Sequence, residues 1–182
     1  VWNEYNIQHF NTFNESFEHY VTILKVAYEA VKRGNPDAVV VGFESAGIDF
    51  NFIRSVFEAG GYQYMDVVAI HPYDWTGHLN TIALVKNNQA IKEIMKQYGE
   101  VKPIWWTEMG FNKLFTLEEQ ASNMVMTHCL QKSFDIAEKV YQFRFQDTLS
   151  LVGTASGEDS WGLCYDYRDP EKPNAAKPSY LA

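Results

Sequence analysis

The chain has 182 residues, 46% apolar and 15% aromatic, enough to build one sizeable hydrophobic core. Its formal charge of -8, with no clustered run of Lys and Arg, excludes the basic surface that a nucleic acid requires. No segment reaches the roughly 20 apolar residues that cross a bilayer, so neither nucleic acid nor membrane is an expected partner.

The opening Val1-Trp2-Asn3-Glu4 reads as the end of a strand of which the earlier residues are missing, so the chain is expected to be part of a longer protein. Apolar positions from Phe17 to Val31 then recur at helical spacing, predicting an amphipathic helix over 15–33 closed by Gly34. After the Asn35-Pro36-Asp37 turn, the run 38–42 predicts a buried parallel strand. Further along come a helix over 51–59, a strand over 67–70 ending in His71-Pro72-Tyr73, and a helix over 80–98. The series closes with a strand over 103–107, a helix opened by a capping box at Thr116-Leu117-Glu118-Glu119 and running to about Phe134, and a strand over 139–145.

Five apolar strand segments alternating with helices predict an α/β chain with a parallel sheet. Periodicity leaves both a doubly wound sheet and a (β/α)8 barrel open. The chain contains neither GxGxxG nor GxxxxGK[ST], so the usual phosphate cradle is absent. Polar residues gather after the strands: Asn3 and Glu4, Glu44 and Ser45, His71, Tyr73 and Asp74, then Glu108. In a barrel these ends share one rim, where two carboxyls can cleave a glycosidic bond, one protonating the departing oxygen and the other attacking the anomeric carbon. Alternation places Ile104, Trp106 and Glu108 on one strand face, with Trp106 below the acid inside the barrel and Trp105 toward the helices. Glu44 matches no motif and reads as a solvated loop acid. His9, His19, His71, His78 and His128 show no metal-binding pattern, so no metal or other cofactor is expected.

The strings Trp2-Asn3-Glu4-Tyr5-Asn6, His71-Pro72-Tyr73 and Lys102-Pro103-Ile104-Trp105-Trp106-Thr107-Glu108-Met109-Gly110 resemble strands four, six and seven of clan A glycoside hydrolases, most of all family thirty-nine, which includes β-xylosidases and iduronidases. The resemblance runs to Lys177-Pro178-Ser179-Tyr180, similar to the start of the last helix. It implies that residues 1–182 are the C-terminal part of a catalytic (β/α)8 TIM barrel lacking strands one to three, which the rest of the full-length protein would supply. It further implies a retaining glycosidase acting on a β-linked carbohydrate substrate, in an extracellular or periplasmic setting. Glu4 would be acid/base and Glu108 nucleophile, Asn3 would contact the hydroxyl beside the anomeric centre, Tyr73 would bond the nucleophile, and His71 would line the pocket.

Two departures bear on the site. Tyr5 replaces a proline common after the acid/base, which frees its ring to contact substrate. Gln142 stands where these families often carry a tryptophan under the reacting sugar, a place that Trp161 takes if it folds inward; packing under its loop is the other reading. The rival functions are a carbohydrate-binding pseudoenzyme and a piece inactive without its N-terminal strands.

Overall fold

In a computed structural model, which describes residues 1–149 and 159–182, α1 (Phe17–Gly34) begins where the Ser16 side chain accepts the His19 backbone N–H. That is an N-cap, satisfying a donor the first helical turn leaves unpaired. The chain then runs β1 (Val41–Ala46), α2 (Phe50–Glu58), a 3-10 turn at Gly61–Tyr64, β2 (Val67–His71), α3 (Thr81–Met95), β3 (Ile104–Met109), α4 (Leu117–Phe134), β4 (Lys139–Gln142) and a short α5 (Pro178–Leu181). Thr116 and Glu119 form the expected capping box at α4, each side chain bonded to the other residue's backbone N–H at 3.2 and 2.8 Å. The four strands form one parallel sheet in the order β1-β2-β3-β4.

Three expectations are corrected. The opening residues are not a strand: Trp2 and Glu4 take left-handed φ of 64° and 43°, which breaks the extended backbone a strand needs. They still follow β1, since Glu4 N–H donates to the Glu44 carbonyl at 2.8 Å. The strand expected over 38–42 lies later, at Val41–Ala46; Val39 is 55% exposed, and the Val40 N–H bonds the Asp66 side chain rather than a neighbouring strand. Glu44 and Ser45 therefore lie within the strand, not after it. The strand expected over 139–145 ends at Gln142.

A fourth correction concerns faces. Trp106 is fully buried on the helix side, its indole N–H donating to Asn88 of α3 at 3.0 Å, in one apolar cluster with Ile104 and Met109. Trp105 lies on the other face with its β4 register partner Lys139, whose ammonium is 4.0 Å from the indole ring centre. Strict alternation would then turn Glu108 toward the helices with Trp106. A bulge between Trp106 and Met109 instead lets Thr107 and Glu108 both leave the helix-side core. A second bulge, between Gly42 and Ser45, inserts Phe43 and Glu44 with φ of 85° and 31°. Phe43 packs on Phe52 and Phe57 in the core, and Glu44 stays partly exposed.

Candidate active site

The loop carrying Asn3 and Glu4 is tied down by its own motif. Asn6 accepts the Ala46 N–H at 2.9 Å and donates to the Ala46 carbonyl at 3.1 Å, pinning the loop to the end of β1. Trp2 closes the loop from outside by donating to the Phe10 carbonyl at 3.1 Å. Tyr5, considered above as a substrate contact, is 5% exposed and packs on Tyr20, with ring centres 5.2 Å apart; it is a packing residue. A left-handed Glu4 costs on the order of 1–3 kcal/mol, strain that persists only where the surroundings over-determine it.

His71, 1% exposed at the end of β2, joins the two acids. Its Nδ1 lies 2.8 Å from Glu4 Oε1 and 3.6 Å from Glu108 Oε2, while Nε2 lies 3.0 Å from the Thr107 hydroxyl. With the hydrogen on Nδ1, the ring donates to Glu4 and accepts from Thr107. Tyr73 O–H donates to Glu108 Oε2 at 2.9 Å. One oxygen of Glu4, one oxygen of Glu108 and a His71 nitrogen all lie within 4.8 Å of one another, a spacing that could also ligate a cation. Burial pushes the Glu44 carboxyl up, against the pull of His71; the field of Glu108 adds to the rise. Glu44 is thus a half-buried acid in electrical contact with the site, not the solvated loop acid the sequence suggested.

These groups open on a cavity of about 600 Å³ lined by Asn3, Glu4, Tyr73 and Glu108, and by Trp161. Trp161 folds inward, 3% exposed, its ring centre 4.9 Å from Tyr73 and 5.5 Å from Trp75. Gly162 makes this possible, since a Cβ there would stand 2.2 Å from the Asp147 nitrogen. Gly110 does the same beyond Glu108, where a Cβ would meet the Phe143 carbonyl at 2.1 Å. Every residue named from the sequence as a site candidate (Asn3, Glu4, His71, Tyr73, Glu108 and Trp161) lies on this cavity or is bonded to a residue that does. Sequence reading missed Trp75, Phe143, Arg144 and the Ile7, His9 and Phe10 wall. Trp75 had a usable signal, an aromatic two residues past Tyr73.

An α/β chain with a parallel sheet, whose strand ends gather two carboxyls joined through an imidazole, belongs to the class of proteins that work at the C-terminal rim of such sheets. Residues 5–151 match the family described as glycosyl hydrolase catalytic core, and the chain belongs to that family. The match includes Glu108 and starts one residue after Glu4. No curated protein matches the chain. Among solved structures, it is similar to a family 39 glycoside hydrolase from the gut symbiont Bacteroides cellulosilyticus WH2, at 26% identity and TM-score 0.65 over 88% of this chain and 35% of that one. A monomeric β-xylosidase from Caulobacter crescentus CB15 aligns at 21% identity and TM-score 0.71, over all of this chain and 39% of that one. The family 39 enzyme from Xanthomonas axonopodis pv. citri aligns at 16% identity and TM-score 0.70, over all of this chain and 38% of that one. The chain thus spans 35 to 39% of these structures, and the family-thirty-nine resemblance read from its motifs agrees with them.

Proposed function

We propose that this chain is the C-terminal part of the catalytic (β/α)8 barrel of a retaining glycosidase acting on a β-linked oligo- or polysaccharide. Residues 1–4 belong to the loop that follows strand four, β1 to β4 are strands five to eight, and the rest of a longer protein supplies the earlier strands. The observation that carries the reading is the approach of Glu4 and Glu108, whose nearest oxygens are no more than 4.8 Å apart with His71 bonded to Glu4. Inverting enzymes hold their carboxyls roughly 6.5–9.5 Å apart to admit a water, and retaining ones about 5–5.5 Å.

Glu108 attacks the anomeric carbon while Glu4 gives its proton to the departing oxygen. The glycosyl-Glu108 ester then breaks when Glu4, now a base, takes a proton from water and the water oxygen bonds the same carbon. Tyr73 orients Glu108, and His71 with Thr107 behind it fixes Glu4. The two displacements need only these groups and water. The test is a panel of nitrophenyl glycosides given to the protein carrying all its barrel strands, with the first-formed product followed by proton NMR. Release of the substrate's own anomer is expected. Release of the opposite anomer overturns the double displacement, and binding without hydrolysis across the panel favours the pseudoenzyme.

A further inference from the structure

Three cations are paired with acids of the C-terminal loops: Lys113 with Asp159 at 3.0 Å, Arg168 with Asp166 at 2.9 Å and Lys177 with Asp147 at 2.8 Å. Arg144 differs from them. It is half-buried on the lining of the catalytic cavity, and its guanidinium makes one side-chain hydrogen bond to a described residue, from Nη1 to the neutral Thr148 hydroxyl at 2.6 Å. Its planar head lies 4.7 Å from the Phe143 ring centre, which supports the plane and leaves the remaining N–H donors of the fork to be used.

Beside it stands a second unused donor. The Trp161 indole N–H is buried without an acceptor among the described residues, an expensive condition in a folded protein. The two residues are locked together, since the Arg144 backbone N–H donates to the Trp161 carbonyl at 3.2 Å, and both flank Phe143. The same cavity holds Glu108, the nucleophile of the reading above, whose carboxylate would repel an anionic sugar if no cation faced it.

From a guanidinium fork only partly used and an indole N–H without an acceptor among the described residues, both on residues that line the cavity, we infer that Phe143, Arg144 and Trp161 form a subsite for an oxyanion substituent on the sugar, the carboxylate of a uronic acid or a sulfate ester. The inference rests on the glycosidase reading above and names its substrate class. A guanidinium fork matches either group bidentately, and a neutral hydroxymethyl or hydrogen at that carbon would leave the fork unpaired.

The test uses the protein carrying all its barrel strands and matched nitrophenyl glycosides of one configuration: hexoside, hexuronide and 6-sulfohexoside. The kcat/KM ratio of an anionic member to the neutral one is expected to favour the anion, and Arg144→Gln to collapse that ratio by about 100-fold, with Arg144→Lys retaining part of it. A ratio is chosen because a merely structural Arg144 would lower all members alike. Preference for the hexuronide over the 6-sulfohexoside assigns the anion to a carboxylate, and the reverse to a sulfate ester. A neutral preference throughout, or a ratio that Arg144→Gln leaves in place, overturns the subsite while the glycosidase reading stands. If no member is hydrolysed, calorimetric titration with glucuronate, galacturonate, glucose 6-sulfate and glucose separates the two: anion-selective binding lost in Arg144→Gln keeps the subsite and removes the glycosidase, and unselective or absent binding removes both.

Discussion

Around the cavity Glu4 and Glu108 are held by an imidazole and a phenol, whereas in the C-terminal loops Asp147, Asp159 and Asp166 each face a Lys or Arg. The partners differ in what they allow. A guanidinium stays charged throughout the accessible pH range and holds its acid ionised. The Arg168 fork beside Asp166, helped by the backbone N–H groups of Leu149 and Arg168 itself, holds that carboxyl well below the usual carboxylate range. An imidazole and a phenol hold their carboxyls through hydrogen bonds and place no permanent cation beside them. Burial pushes the Asp147 carboxyl up in spite of the Lys177 ammonium, so a fixed cation does not by itself hold a carboxyl low; the proposed roles of Glu4 and Glu108 call for hydrogen-bonding rings rather than a permanent ion pair beside them.

The largest expected break in this comparison comes from removing each acid of the rim in turn. Glu108→Gln is expected to lower kcat by about 10⁴-fold on every substrate, since no other group takes its place in attack. Glu4→Ala is expected to cost about 10²–10⁴-fold on alkyl glycosides and far less on dinitrophenyl glycosides, whose leaving group departs without a proton. Equal losses on both substrate types in Glu4→Ala would mean that the proton comes from elsewhere.

The loop side gives a smaller effect with a defined pH dependence. Because the folded-state value of Asp166 is depressed, its stabilisation is present in full above the ordinary value of 3.8 and is lost as pH falls from there toward the lowered one. Asp166→Asn is therefore expected to melt about 2–4 °C below the parent at pH 7, with the gap narrowing below that ordinary value. A gap that stays constant into acid would show that the Arg168 pair contributes through packing rather than charge.

How much of this was readable in the chain depends on how local each feature is. The α4 capping box needs only Thr116 and Glu119 three residues apart, and the structure has it. Glu108 stands in a contiguous string and lies near the end of β3, whereas Glu4, also marked by its string, sits in a loop bonded to β1 and not at the end of a strand. The faces were not, because a bulge is one extra residue with no composition of its own, and the one after Trp106 reverses the alternation that placed Trp106 under the acid. The start of β1 was misplaced because apolar character marked it, while hydrogen bonding decides it; Val39 is apolar and exposed. Arg144 reaches the cavity through contacts between distant segments, and nothing next to it in sequence announces this, whereas Trp75 was marked by Tyr73 two residues before it.

The central claim, that Glu108 becomes covalently linked to sugar, is tested most directly by incubating the protein carrying all its barrel strands with an activated 2-deoxy-2-fluoro glycoside. The fluorine slows breakdown of the ester, and digestion with mass spectrometry then locates the label. A single added fluorosugar on the peptide containing Glu108, absent in Glu108→Gln, is the expected result. A label on Glu4 or Glu44, or one that persists in Glu108→Gln, would contradict it.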